Sequence, residues 1–279
     1  MKKILLLAIA LVSMMASAQV LEVASVEKLN IPQNADSKIA GIAPDGSYVL
    51  ITSQTNKGLQ RFDLTTKKLT TLTTADGAGY NVEISADSKN VTYREVTYTA
   101  DRSRMTSLVS HDIATAQKST IVASTRDMHR ARVRRAIAPT VAIQNGELVI
   151  TFGTTTKILS PNGQGRSYLW PSLSPDGTKV LYHLAGNGTW VCNIDGSNAQ
   201  RLGNFRAPRW YNNNIVVGMN DIDDGHVVTA SSIVAYTLNG AQQVLTSENI
   251  MAMYPYASAD GKKIVCSTPA GEAYLINLK

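Results

Sequence analysis

Cysteine and histidine are scarce in this chain, and that scarcity narrows what it can be. Cys192 and Cys266 are the only cysteines among 279 residues, too few for the disulfide framework of small secreted domains. The repeat described below places a whole unit between them, so we expect two buried free thiols rather than a bridge. The histidines show no zinc-ligand spacing, and they are His111, His129, His183 and His226.

Long apolar runs are missing after the first 18 residues. Residues 1–18 combine a basic start, an apolar run over 4–12 and small residues at 16–18, which is the pattern of a secretory signal peptide. The run is shorter than the roughly 20 residues that a membrane helix needs, and no nearby cysteine supports a lipid anchor. We expect cleavage before Gln19, no membrane insertion afterwards, and a periplasmic or secreted protein.

A strong charge imbalance is also missing. The formal net charge is +6, and it falls to +4 once residues 1–18 are removed. A mild excess of this kind is too small to indicate nucleic-acid binding, which is unusual for an exported protein in any case.

A recurring turn organises the rest of the chain. At 170–182 two strand-like segments flank Pro175, Asp176 and Gly177, residues that favour a tight reversal. Further copies centre on Asp45, Asp87 and Asp260, and the separations are 42 residues or close to its multiples. Weaker copies at 144–149 and 211–216 bring the number of units to six.

A period in the low forties with short strands and no helical stripe is typical of propeller blades. We therefore predict an all-β fold, a six-bladed β-propeller of four-stranded antiparallel blades, as a single domain over 19–279. The last unit ends after its third strand. The alternating segment at 20–27 is predicted to supply the fourth strand and close the ring.

Residues 170–202 resemble the TolB-type propeller repeat in their Pro-x-x-Ser-Pro-Asp-Gly turn, Gly-rich second turn, Asp-Gly and closing Arg-Leu. The units at 39–72 and 254–278 match well, and the other three match in outline. The resemblance implies the propeller fold and partners of the peptidoglycan-associated, envelope-spanning kind. The TolB namesake carries an additional N-terminal α/β domain, whereas we expect this chain to pass directly from signal peptide to propeller.

In a four-stranded blade, the first-to-second and third-to-fourth turns lie on one side of the disc, here called the turn face. The other turns and the connections between blades lie on the opposite side, the loop face, where loops vary freely over a rigid scaffold. The repeated Asp-Gly turns are therefore predicted to be structural, and functional residues are expected on the loop face and in the central channel.

Two charged segments are predicted to lie on the loop face. The connection between blades 2 and 3 holds five arginines in ten residues at 126–135, and Arg130, Arg132, Arg134 and Arg135 are candidates for binding carboxylates or phosphates in pairs. Blade 5 carries an acidic loop whose Asp221, Asp223 and Asp224 are weak candidates for calcium. A solvated or internally paired segment remains the alternative in both cases.

Aromatic and polar residues at the starts of first strands are the remaining candidates. Trp170 and Tyr254 align with each other in the repeat and are expected at the channel mouth, where rings can stack on a ligand or peptide. Glu83 and Arg209 align with Ser172 and Tyr256 and are expected to face the channel. His183 lies on an apolar strand and is expected to be a core residue.

Three functions remain open from the residues. We expect a non-catalytic propeller, without a cofactor, that presents its loop face and channel to a protein or peptide partner in the cell envelope and is a monomer. A metal-dependent lyase or hydrolase of an anionic carbohydrate or lactone is the first alternative, and a structural subunit of an envelope or secretion complex is the second. The chain resembles the propeller of prolyl-oligopeptidase-type enzymes, but it lacks the Gly-x-Ser-x-Gly of their catalytic part.

Overall fold

The computed structural model describes residues 19–32, 36–128 and 138–279. The four candidate arginines at 130–135 and His129 lie outside the described residues. Within the described ranges the chain forms six antiparallel sheets, so the predicted six-bladed propeller is confirmed.

The first three sheets follow the chain order. Blade 1 contains β2 (Ser37–Ile42), β3 (Tyr48–Ser53), β4 (Leu59–Asp63) and β5 (Leu69–Thr73). Blade 2 contains β6 (Glu83–Ile84), β7 (Asn90–Tyr98), β8 (Arg104–Asp112) and β9 (Lys118–Thr125). Blade 3 contains β10 (Thr140–Gln144), β11 (Glu147–Phe152) and β12 (Thr155–Leu159).

The other three sheets complete the ring. Blade 4 contains β13 (Tyr168–Leu173), β14 (Lys179–Leu184), β15 (Gly188–Asn193) and β16 (Gln200–Gly203). Blade 5 contains β17 (Arg206–Trp210), β18 (Ile215–Asp223), β19 (Val228–Thr237) and β20 (Gln242–Val244). Blade 6 contains β21 (Met253–Ala257), β22 (Lys263–Ser267), β23 (Ala273–Leu278) and β1 (Val23–Leu29).

Most of the core lies between neighbouring blades. One apolar cluster joins blades 5 and 6 around Val217 and Ile264, and another joins blades 1 and 2 around Leu50 and Tyr93. The first strands of blades 4, 5, 6 and 1 contact one another in sequence. These innermost strands therefore line the propeller axis and define the central channel.

The N-terminal strand closes the ring as the sequence predicts. Strand β1 pairs antiparallel with β23, with Val26 opposite Ile276. The Gln243 side chain on blade 5 accepts hydrogen bonds from the amides of Val20 and Leu21 at 2.7 and 2.8 Å and donates one to the Leu21 carbonyl at 3.0 Å. The N-terminal segment is thereby fixed to two blades.

The repeated turns have the structural role assigned to them. In blade 4 the Ser174 hydroxyl and the Thr178 amide both donate to Asp176 Oδ1, at 2.6 and 3.0 Å, and Gly177 has φ 70°. Blade 6 repeats the pattern with Ser258 donating to Asp260. These carboxylates are occupied by their own turns, as expected for residues that fix a reversal.

Blade 3 differs from the other five in having three strands among the described residues. The chain after β12 returns through an irregular segment at 160–167 instead of a fourth strand. Two tyrosine hydroxyls of blade 4 hold that segment: Tyr182 donates to Asn162 Oδ1 at 2.6 Å and Tyr168 to the Gly163 carbonyl at 3.2 Å.

Cys192 on β15 and Cys266 on β22 are both buried and free. They lie on different blades, as the sequence predicts.

Candidate functional site

The loop-face mouth of the channel is built by the starts of the first strands. At the same repeat position, Asn81, Trp170, Ala207 and Tyr254 have left-handed φ angles of 53°, 48°, 47° and 53°. That backbone region is uncommon for residues with a Cβ and costs about 1–3 kcal/mol when the surroundings impose it. In blades 4, 5 and 6 these residues lie in β-bulges, which redirect side chains at the mouth.

Tyr254 is the most accessible of these side chains with a large ring. Its residue is 43% exposed, and it lines a cavity of about 400 Å³ at the junction of blades 5, 6 and 1. The cavity has mainly apolar walls with a few polar atoms, the usual composition of a binding pocket. Its lining consists of Lys38, Gln54, Val227, Val228, Met253, Tyr254, Ser267, Thr268 and Pro269.

Lys38 supplies the positive charge of this cavity. Its ammonium donates to the Gln54 carbonyl at 3.0 Å, and no carboxylate of the described residues lies within ion-pair distance of it. Partial burial lowers its pKa below the ordinary lysine value. The cavity therefore offers one cation beside apolar walls.

Arg209 and Tyr256 meet in the channel wall. The guanidinium lies 4.7 Å from the Tyr256 ring centroid, and Nη2 donates to the Tyr256 hydroxyl at 3.3 Å. Ser172 occupies the equivalent position in blade 4, where its buried hydroxyl makes no hydrogen bond to the described residues. Glu83 is exposed on β6 of blade 2. Of the four side chains that align in the repeat, those of Arg209 and Tyr256 are in contact.

Trp170 is half-buried rather than open at the mouth. Its ring meets the His183 ring edge to face, with centroids 5.4 Å apart, and also packs against the apolar cluster of blades 5 and 6. His183 Nδ1 donates to the Phe205 carbonyl at 3.0 Å. Burial lowers the pKa of His183, and the hydrogen bond from Nδ1 opposes that shift. The prediction of a core histidine is confirmed.

The acidic loop of blade 5 is engaged by an arginine. Arg206 Nη2 donates to Asp223 Oδ2 at 2.7 Å, and its Nη1 lies 3.1 Å from Asp221 Oδ2. The second contact is an ion pair without hydrogen-bond alignment. Asp224 accepts from the amides of Val227 and His226, which hold its pKa below the ordinary value. The three aspartates are thus held in two separate arrangements.

The described residues contain no group of three or more His, Cys, Asp or Glu side chains placed to hold a metal ion. His183 is buried on blade 4, whereas His226 is exposed in the β18–β19 turn. Nor does any helix of the described ranges have the length and apolar character needed to cross a membrane.

A second cavity, of about 450 Å³, opens on the turn face between blades 1 and 2. Its walls include Asp45, Asp87 and Lys89, and the Arg61 guanidinium within it pairs with Asp63 at 2.7 Å and stacks over Tyr48. The charge of Arg61 is thus compensated by an ion pair, unlike that of Lys38.

Sequence reasoning missed Lys38 and Arg206. Both precede by one residue the position that Trp170 and Tyr254 share in the repeat. An alignment of all first strands therefore places these two cations at one repeat position. What it does not contain is the loop geometry that brings Val227 of blade 5 beside Lys38 of blade 1.

No family model and no curated protein matches the chain. Among solved structures, a putative TolB from Agrobacterium tumefaciens has a TM-score of 0.54 at 15% identity, covering 87% of this chain and 90% of that one. TolB from Acinetobacter baumannii has a TM-score of 0.50 at 13% identity, covering 86% and 63%. An oligogalacturonate lyase in complex with manganese has a TM-score of 0.48 at 15% identity, covering 85% and 76%. The TolB likeness establishes the fold, a TolB-like β-propeller.

Proposed function

We propose that this chain is an exported binding propeller that holds a protein or peptide segment of the cell envelope at its loop-face mouth. The observation that carries the proposal is Tyr254, a large ring left accessible by a strained bulge beside a cavity. Backbone strain of this kind persists where the surrounding structure imposes it, and it is concentrated at ligand-binding positions. Residues 1–18 support export, and the TolB-like fold is consistent with a binding role.

The chemistry of the cavity suggests what the segment contains. Met253, Val227 and Val228 favour an apolar side chain, and the Tyr254 ring adds a stacking surface. The Lys38 ammonium favours a carboxylate, since pairing with one removes the cost of a half-buried, uncompensated cation. The segment expected here carries an apolar residue next to an acidic side chain or a C-terminus.

The arginine-rich segment at 126–135 extends this proposal. Four of its arginines, at 130, 132, 134 and 135, are proposed to recognise further carboxylates of the same partner, because the guanidinium fork matches a carboxylate in geometry and charge. Replacing all four with serine is expected to abolish capture of an acidic partner while leaving the melting temperature unchanged. Capture that survives the replacement would refute their role.

The experiment that tests the proposal is site-specific photo-cross-linking in intact cells. A photoreactive amino acid is placed at Tyr254 or, as a matched control, at Val244, which is 60% exposed on the outer strand of blade 5. We expect one defined adduct from position 254 and none from position 244, and mass spectrometry identifies the captured segment. The adduct should disappear when Lys38→Met is combined with the cross-linker at 254.

Two results contradict the proposal. One is equal labelling from positions 254 and 244, which indicates random encounter. The other is an adduct at 254 that Lys38→Met leaves unchanged, which removes the cavity from the binding site.

A further inference from the structure

Strand β12 differs from the other third strands of the propeller in its exposure. In blades 1, 4 and 6 the third strand has no exposed residue, because a fourth strand covers it. In β12 four of the five residues are exposed, and they are Thr155, Thr156, Lys157 and Ile158. Ile158 is 60% exposed and Phe152, on the same hairpin, 45%. The outer position of blade 3 is therefore uncovered by the described residues.

The backbone of β12 presents hydrogen-bonding groups to that outer position. A two-residue loop at 153–154 joins β11 and β12, so the flanking pair Phe152 and Thr155 is a hydrogen-bonded pair. The alternation of an antiparallel ladder then directs the N–H and C=O groups of Thr156 and Ile158 outward. The hydroxyls of Thr151 and Thr156, 3.3 Å apart, fit the close side chains of a pair without backbone hydrogen bonds.

The chain's own return segment does not fill this position with a strand. Asn162 and Gly163 are bound by tyrosines of blade 4, and residues 163–167 are exposed. Blade 6 provides a precedent within the same molecule, because its fourth strand, β1, comes from the other end of the chain. A blade of this propeller can thus take its outer strand from a remote segment.

We propose that β12 is an interaction surface that accepts an extended segment of a partner protein as the fourth strand of blade 3. The partner's backbone bonds to Thr156 and Ile158, as in other complexes formed by strand addition. This surface is independent of the loop-face cavity and does not rest on the function proposed above.

The two faces of β12 specify the chemistry of the partner segment. Side chains of successive residues point to opposite faces, so Ile158 lies on one face and Lys157 on the other. The Lys157 ammonium bonds only the Asp195 carbonyl, at 3.2 Å, among the described residues. A segment that alternates apolar and acidic residues pairs its apolar side chains with Ile158 and a carboxylate with Lys157. If two copies of the chain paired their β12 strands about a two-fold axis at Lys157, the two Lys157 ammonium groups would lie opposite each other. Like charges in that position are destabilising, which disfavours a second copy as the partner.

The test uses a phage-displayed library of random peptides selected against the full chain after removal of residues 1–18. Binding of the selected peptides is then measured by calorimetry to the unaltered chain and to three variants. Thr156→Pro removes the outward N–H, and Thr156→Val is its matched control, since it removes the hydroxyl and keeps the N–H. Tyr254→Ala reports on the loop-face cavity.

We expect selected peptides to alternate apolar and acidic residues and to protect the amides of residues 155–159 from hydrogen exchange. Their affinity should fall at least about tenfold with Thr156→Pro and stay unchanged with Thr156→Val and Tyr254→Ala. If Thr156→Pro fails to fold, Ile158→Glu replaces it, and it should cause the same loss because a carboxylate then replaces the apolar partner of the peptide's apolar side chains.

Three outcomes overturn the inference. Binding lost with Tyr254→Ala but kept with Thr156→Pro assigns the peptides to the loop face and leaves the first proposal standing. Dimerisation in sedimentation that Thr156→Pro abolishes assigns the edge to a second copy of the chain. Failure to enrich any peptide shows that the edge is not a strand acceptor.

Discussion

At the residue scale, three side chains of reactive types are removed from solvent. Cys192, Cys266 and His183 all lie in the core, where burial disfavours their charged forms. Burial raises the pKa of each thiol to about 12. Tyr254 and Lys38 instead line a cavity that is open to a ligand, because local backbone and loop geometry keep them out of the core. Whether a side chain is buried, and not its chemical type alone, decides whether it belongs to the core or to the candidate site.

The two thiols are expected to be unreactive in the folded chain. A thiolate is the nucleophile in disulfide exchange, and burial suppresses its formation while excluding the reagent. Ellman's reagent should label neither cysteine in the native protein and both in guanidinium chloride, with or without prior reduction. Labelling of a native thiol, or denatured thiols that appear only after reduction, contradicts the assignment.

His183 is expected to make folding stability depend on pH. Its pKa is lowered in the folded state, so the unfolded chain takes up the proton first as the pH falls. The stability that neutral His183 contributes is present above the unfolded pKa of about 6.5 and is lost as the pH falls through the folded pKa. His183→Asn, whose amide retains the bond to the Phe205 carbonyl, should reduce the stability lost between pH 7.5 and 5.5.

Urea denaturation at both pH values measures this effect. The free energy of unfolding itself is expected to be lower in the variant, so the comparison concerns its change with pH. Equal changes in the variant and the unaltered protein contradict the prediction.

At the element scale, the sequence predicts that β1 is a strand, but it does not predict the side-chain contact that holds the N-terminal segment in place. The apolar alternation of the N-terminal segment predicts a strand, and the unfinished last unit predicts its partner. The role of Gln243 is not predictable in this way, because a glutamine on an outer strand has no pattern that distinguishes it from Gln242. Only the register of two blades brings its amide to the backbone of Val20 and Leu21.

Gln243→Ala is expected to lower the free energy of unfolding by about 2–3 kcal/mol, since three partly buried hydrogen bonds are lost at about 1 kcal/mol each. The adjacent Gln242→Ala is the matched control, because its side chain is exposed on the same strand. Chemical denaturation measures both. A loss for Gln243→Ala no larger than for Gln242→Ala means that Gln243 does not fix the N-terminal segment.

At the scale of the whole molecule, stability and recognition both depend on the closed ring. Blade 6 joins the two ends of the described chain through β1 and β23, supported by the ion pair of Lys279 with Glu22 at 2.6 Å. The loop-face cavity depends on the same blade, since its walls come from blades 5, 6 and 1. A change that opens the ring is therefore expected to damage the candidate site as well.

Deleting residues 19–27 is expected to lower the melting temperature by roughly 10 °C or more. The deletion removes most of β1 and the buried Leu21 and exposes the edge of β23, and each kcal/mol lost shifts the melting temperature by about 2–4 °C in a chain of this size. Differential scanning calorimetry measures the change. A melting temperature that stays the same shows that β1 does not hold the ring together.

The sequence by itself determined the number of blades, the structural role of the Asp-Gly turns and the closing strand. These are properties of local turn chemistry and of a period, which a linear pattern records. Tertiary structure alone decided that Arg206 pairs with Asp221 and Asp223, that Lys38 and Tyr254 share a cavity, and that β12 has an uncovered edge. Such features join residues that lie apart in the sequence, within one blade or across several, or depend on what covers a strand, and the distances that create them arise only when the chain folds.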